Sequence, residues 1–160
     1  MTEAWVVNAS PLILLSRIGR LDLVERLAPR ILIPNAVIEE LRAGDPKDPT
    51  AAAAVKWATA YRVDDIESVA SVARWDLGVG ETQVIAQCVG TSRWAVLDDR
   101  AARRCAGAHT VPVIGTLGVV LRAKVRHQIT SARPLVEQLI AAGMFLDDEF
   151  VDRVLASVGE

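Results

Sequence analysis

Short apolar runs closed by turn or capping residues alternate along the chain with stretches whose apolar positions recur at helical spacing. Trp5-Val6-Val7 reads as a first strand ending at Asn8. Ser10 and Pro11 suit the N-cap and first position of a helix over residues 12–18, which Gly19 stops. A second helical piece covers residues 22–27, and Ile31-Leu32-Ile33 reads as a second buried strand. Pro34 opens a helix to Leu41, closed near Gly44. The stretch GDPKDPT is a loop, and Pro49 can begin a helix over residues 51–60, favoured by four consecutive alanines. Residues 63–72 show no clear period and leave room for a short strand around Ile66. Gly78 and Gly80 mark a turn before a helix over residues 81–89. Trp94 to Leu97 is a strand running into Asp98-Asp99, followed by a helix over residues 100–106. A last strand ends at Ile114, Gly115-Thr116 follow, and helices cover residues 117–126, 132–142 and 149–158.

Apolar strands separated by helices predict an α/β fold of three α/β/α layers, with a mostly parallel sheet covered on both faces. No repeat or linker divides the chain, so one domain over residues 1–160 is expected. The helices near 132–158 would pack on the core or on a dimer partner. Pro134, Leu135, Leu139 and Ile140 make one apolar stripe there, and Phe145, Leu146, Phe150, Val154 and Leu155 make another.

Composition narrows the function. At 160 residues, 51% hydrophobic and 24% charged, the chain can build its own core without metal or disulfide. Its 18 basic and 20 acidic residues leave a net charge of −2, so any nucleic acid must be held by a local basic patch. Cys88 and Cys105 form neither a zinc motif nor a disulfide framework, which makes the cytoplasm the expected compartment. No signal peptide or membrane-spanning run is expected.

In parallel sheets, sites form beyond the carboxyl ends of the strands, and those ends carry Asn8, Asp98-Asp99 and Gly115-Thr116. At ~100° per residue, Glu81 falls on the same helical stripe as Val84, Ile85, Cys88 and Val89. A helix N-terminus favours an acid but does not require it to point inward. Glu40 sits at the border of the stripe of Val37, Ile38 and Leu41, whereas Glu39 points to solvent. Asp98-Asp99 supply more acid than one helix cap needs. Several carboxylates at one point repel one another, and magnesium or manganese, which take oxygen ligands, would relieve that repulsion. A phosphorelay receiver would carry a lysine after its last strand, where this chain has Gly115-Thr116.

The segments VVNASPLILLSRIGRLDLV, IPNAVIEEL, GETQVIA, VLDDRAARRCA and VIGTLGVVLRAK, in that order and spacing, resemble the PIN domain. More narrowly they resemble PIN-like proteins related to VapC toxin ribonucleases. The resemblance implies a magnesium- or manganese-dependent endoribonuclease. By motif, the first acidic position of that family falls on Asn8, which is neutral here. The others fall on Glu40, Glu81 and either Asp98 or Asp99, with Asp99 slightly favoured. A further acidic position falls near Thr116. The metal would be held by Glu40, Glu81, Asp98 and Asp99, with Asn8 orienting a ligand or water and Ser10 and Thr116 in support. Arg100, Arg103 and Arg104 form a basic face beside the acids, with Arg122 and Arg126 as further RNA-binding candidates. Lys124 is expected to snorkel. His109, His127 and the four tryptophans show no metal or stacking pattern. The resemblance also implies RNA as substrate, an antitoxin protein as a possible partner and a homodimer. The competing reading, carried by Asn8 and Thr116, is a degenerate PIN module that binds RNA or a protein.

Overall fold

In the computed structural model, which describes residues 3–160, three consecutive apolar residues, Trp5–Val7 (β1), are buried along their whole length. A strand buried on both faces has helices on both sides of its sheet. The chain supplies them as α1 (Ala9–Arg17), α2 (Asp22–Leu27), β2 (Ile31–Pro34), α3 (Asn35–Arg42), α4 (Ala51–Thr59), β3 (Arg62–Val63), α5 (Ala70–Ala73) and α6 (Val79–Ala86). There follow β4 (Trp94–Val96), α7 (Arg100–Ala108), β5 (Val113–Ile114), α8 (Thr116–Val125), α9 (Arg133–Ala141) and α10 (Asp148–Ser157). The strands pair in the order β3-β2-β1-β4-β5, all parallel. The architecture is the expected three-layer α/β/α sandwich.

The strand order places the site. From β1 the chain moves outward to β2 and β3, then crosses back to lay β4 on the other side of β1. Connections leaving β1 and β4 therefore run in opposite directions, which opens a crevice beyond their carboxyl ends. Register keeps the two ends level: Val7 pairs with Val96, and the Asn8 N–H donates to the Val96 carbonyl at 3.1 Å. Asn8 and Asp98-Asp99 leave the sheet side by side there.

The core is apolar, from Val6, Val7, Ala95 and Val96 in the sheet to Leu12, Ile38, Ile85 and Val120 on the helices. Helix α3 packs against α4 and α6, and α2 against α8. Helix α9 buries Leu135, Val136 and Leu139, and α10 buries Val151 and Leu155. The two apolar stripes near the end of the chain are thus only partly used by the fold: Pro134 is exposed, and Ile140 and Phe150 remain more than a third exposed. Glu160 fastens this region. Its carboxylate accepts from the Ser131 hydroxyl and from the N–H groups of Ala132 and Arg133 at 2.6–3.1 Å, capping α9. Among the described residues no helix is long and apolar enough to cross a membrane.

Several local expectations are corrected. Ser10 is not the N-cap of α1; Asn8 holds that position in extended backbone, and Ser10 lies inside the helix. Pro49 does not begin α4, which has Thr50 at its N-cap. Gly80 is not in a turn but inside α6, which starts after Gly78. The short strand is not at Ile66 but at Arg62–Val63, paired to β2. Ile66 finds its backbone partners in the Gln83 side chain, which accepts from its N–H at 2.9 Å and donates to its carbonyl at 2.6 Å. A side-chain amide has both a donor and an acceptor, so it satisfies an extended residue as a neighbouring strand would. Lys124 does not simply snorkel: its ammonium donates to the Thr130 carbonyl and lies 3.5 Å from Glu160.

Candidate active site

At the end of β1, Asn8 is only 4% exposed, yet its Oδ1 has no hydrogen-bond partner among the described residues. A buried polar atom without a partner costs free energy of about 1–3 kcal/mol. Asn8 lines a cavity of about 470 Å³ together with Ser10, Glu40, Glu81, Arg17 and Gly143. Three separate elements thus bring the first, second and third of the expected site positions to one hollow.

Glu40 reaches it from the last turns of α3. Its carboxylate accepts the Gly80 N–H at 2.9 Å, at the start of α6, where unpaired N–H groups favour an anion. A Cβ on residue 80 would come within 2.6–2.8 Å of that carboxylate, so the approach depends on glycine. The sequence places this glycine; the helix start two residues earlier hides what it is for.

Glu81 follows on the same helix and is half-buried. Its carboxyl is held above the ordinary carboxylate range, first by burial, then by the nearby charge of Asp99, and to a lesser degree by Glu40. A hydrogen bond with the Gly78 backbone works in the opposite direction. The inward helical phase read from the sequence is therefore physical, and Asp99 and Glu40 are close enough for their charges to be felt.

The two adjacent aspartates divide their work. Asp99 caps α7, accepting the Ala102 N–H at 2.9 Å. Asp98 is enclosed by donors: the Thr116 N–H at 2.7 Å, the Thr116 hydroxyl at 2.6 Å and the Ser10 hydroxyl at 3.2 Å. Thr116 is fully buried. The hydroxyl at the position where an acid was expected thus orients Asp98. Ser10, misplaced as a cap, ties Asp98 to the wall of the Asn8 cavity.

The basic candidates separate. Arg100, Arg103 and Arg104 line a groove of about 800 Å³ that begins at Asp98. The Arg103 guanidinium donates to the Leu97 carbonyl at 3.1 Å, so it also braces the strand end. Gly115 leaves room for it, since a Cβ there would lie 2.6 Å from Arg103 Nη1. Arg122 and Arg126 do not join this site. They sit at the amino ends of the strands, where Arg122 lies over the Trp94 ring at 5.1 Å and Trp94 stacks with Trp5 at 6.3 Å. That stack corrects the expectation that the tryptophans show no stacking pattern. Cross-strand pairing of Trp5 with Trp94 creates it, and only the register reveals it. His109 serves structure, with its ring bound to the Cys105 carbonyl and the Ser71 hydroxyl. Cys88 is buried, its thiol pushed up to about 12 by burial, which suits packing and not nucleophilic work.

The donors at the crevice are oxygens: Asn8 Oδ1 and the carboxylates of Glu40, Glu81 and Asp99. Oxygen donors are what a hard divalent cation takes, and an orphaned amide oxygen beside like-charged carboxylates fits one. Among the described residues, no three acidic, histidine or cysteine side chains stand together as a ready-made ligand group.

No curated protein matches the chain. A family profile described as a PIN domain matches residues 4–160. That match spans both strand ends, every acid discussed above and the helices that carry them, and with it the chain belongs to the PIN domain family.

Proposed function

We propose that this PIN domain is a metal-dependent ribonuclease that hydrolyses RNA phosphodiester bonds, with magnesium or manganese held by Glu40, Glu81 and Asp99 beside Asn8. One observation carries the reading. Asn8, whose buried side-chain oxygen has no partner among the described residues, lines a cavity with Glu81, whose ionisation is opposed by burial and by the charges of Asp99 and Glu40. A divalent cation offsets both penalties at once. When bound, such an ion makes water a better nucleophile and offsets charge on the phosphate. The chain's own groups supply the rest. Asn8 holds its side-chain oxygen, buried and without a partner among the described residues, in the wall of the crevice. Asp98, held by Thr116 and Ser10, fixes the wall between the β1 and β4 ends. Arg100 and Arg104, exposed on α7, attract the phosphate backbone by charge. In this reading the protein is a toxin restrained by an antitoxin protein, and it acts as a homodimer.

The test is cleavage of a labelled RNA pool by the purified protein in manganese, with and without chelator, beside Asp99→Ala prepared identically. The expected result is cleavage that chelation and Asp99→Ala both abolish. Equal cleavage by the natural protein and Asp99→Ala would sink the assignment. The neutral Asn8 at the first acidic position, and the lack of a ready-made ligand group among the described residues, favour a second reading: a binding module without turnover. It predicts no cleavage by either form with RNA or protein binding retained.

A further inference from the structure

A second hollow, of about 380 Å³, lies at the opposite end of β1 and β4 from the crevice. Arg26 lines it from α2, and Arg122 and Arg126 line it from the end of α8. Leu27 and Pro29 add apolar surface, with Trp5 and Trp94 beside them. Helix C-termini favour cations, which accounts for each arginine singly. It does not account for three of them lining one hollow, where like charges repel. The carboxylates do not match them. Asp22 pairs with Arg26 at 3.0 Å, but among the described residues neither Arg122 nor Arg126 has an ion-pair partner. Glu3 also lines the hollow and pairs with none of the three. Arg122 is half-buried and held in place. Its guanidinium lies over the Trp94 ring at 5.1 Å, and Trp94 stacks on the buried Trp5 at 6.3 Å. A guanidinium seated on a ring keeps its N–H donors for other partners, and it loses less freedom when a ligand arrives. Arg126 follows four residues on, which sets the two side chains next to each other on the helix.

We propose that this hollow binds a small phosphomonoester, with Arg122 and Arg126 on the phosphate oxygens and the organic part against Leu27 and Pro29. The hollow shares no lining residue with the Asn8 cavity, so the inference does not depend on the ribonuclease reading. Two guanidinium groups without carboxylates match a dianion, and their forked donors take phosphate oxygens in pairs. The volume is that of a small-molecule site and exceeds what a bare phosphate fills, which leaves the apolar wall for an organic group. A sugar phosphate has this chemistry, either as a free molecule or as the 5′-phosphorylated end of a nucleic acid.

The experiment is calorimetric titration of the full chain in chelator with ribose 5-phosphate, inorganic phosphate and ribose. Ribose 5-phosphate is expected to bind, inorganic phosphate to bind more weakly and ribose not at all. Arg126→Gln and Arg122→Lys should each weaken ribose 5-phosphate binding by roughly tenfold or more. The lysine keeps the charge but not the paired donors. Asp99→Asn, at the other end of the strands, should bind like the natural protein. Arg126 is exposed, so Arg126→Gln should melt with the parent and keeps the test valid if Arg122→Lys does not fold. No binding of ribose 5-phosphate overturns the proposal, as does equal binding by the natural protein and Arg126→Gln. Inorganic phosphate that binds as tightly as the ester overturns it too. Competition by oligoribonucleotides then separates the two sources. Displacement of ribose 5-phosphate by a 5′-phosphorylated oligonucleotide and not by its 5′-hydroxyl form supports the proposal with a nucleic-acid end as ligand. Displacement by neither supports it with a free ester. Displacement by both means that the arginines hold backbone phosphates at large, and overturns it. Because binding is read without metal, its failure is separate from a failure of the natural protein to cleave in manganese.

Discussion

Asp98 and Asp99 are chemically identical neighbours, and only their partners separate them. Asp99 both caps α7 and acts on the charge of Glu81. Asparagine caps a helix as well as aspartate does, whereas alanine costs about 1 kcal/mol. Asp99→Asn should therefore keep the melting temperature while losing the manganese-induced thermal shift, and Asp99→Ala should lose both; paired melts with and without manganese check this. Glu81 gives a pH-dependent counterpart. Its folded-state carboxyl lies above the ordinary value of 4.5, so any stability it contributes is full below that value and is lost as pH rises through the folded one. Glu81→Gln should melt higher than the natural protein at pH 7, and the two curves should converge below about pH 4. A variant less stable at pH 7 would contradict that sign. The sequence made Glu81 legible, because helical phase turns an acid on an apolar stripe into a visible conflict. It could not divide the two aspartates: Thr116, which encloses Asp98, lies 18 residues on. Neither could it show that the Asn8 oxygen lacks a partner among the described residues, since that depends on everything packed around it.

Helices α3 and α6 pack against each other, and the Glu40 carboxylate on the Gly80 N–H joins them at the site. Alanine is a better helix residue than glycine by roughly 0.5–1 kcal/mol. Its Cβ would nonetheless displace the end of a flexible side chain, since it would fall 2.6–2.8 Å from the Glu40 carboxylate. Gly80→Ala should thus leave the melting temperature equal or higher while removing the response to manganese. Calorimetric titration of manganese into this variant measures it, and undiminished heat would show that Glu40 does not need its anchor. Elements were legible where apolar period and capping agreed, as in β1, β2, β4 and α7. They were misread where a side chain did backbone work. Gln83 gives Ile66 the bonds of a strand without a strand, and Gly80, chosen for close approach, looks like a turn residue.

The molecule is closed at its far side by Glu160, whose carboxylate spans Ser131, Ala132 and Arg133 with Lys124 nearby. These hydrogen bonds, the Ser131 hydroxyl first, hold its carboxyl down to about 2 against an ordinary 4.5. A lowered acid contributes stability above its unfolded value and loses it as pH falls through the folded one. Glu160→Gln should melt lower than the natural protein at pH 7, with the gap closing between pH 4.5 and about 2. A gap that persists at pH 2 would mean that the carboxylate charge is not what holds α9. The sheet's strand order was not legible, because a crossover leaves no local mark: nothing near Trp94 says that it will lie beside Trp5. That crossover has a consequence for the timing of synthesis. Asn8, Glu40 and Glu81 leave the ribosome well before their crevice can exist, because β4 must first insert beside β1 and Thr116 must then clasp Asp98. Ser10 and its partner Asp98 are 88 residues apart, and such distant contacts form late in folding. Under the proposed ribonuclease function, the crevice cannot act on the message being translated before Thr116 has been made and has clasped Asp98. Ribosome-arrested chains ending before residue 116 should show no manganese-dependent cleavage, whereas full-length chains released from the same message should.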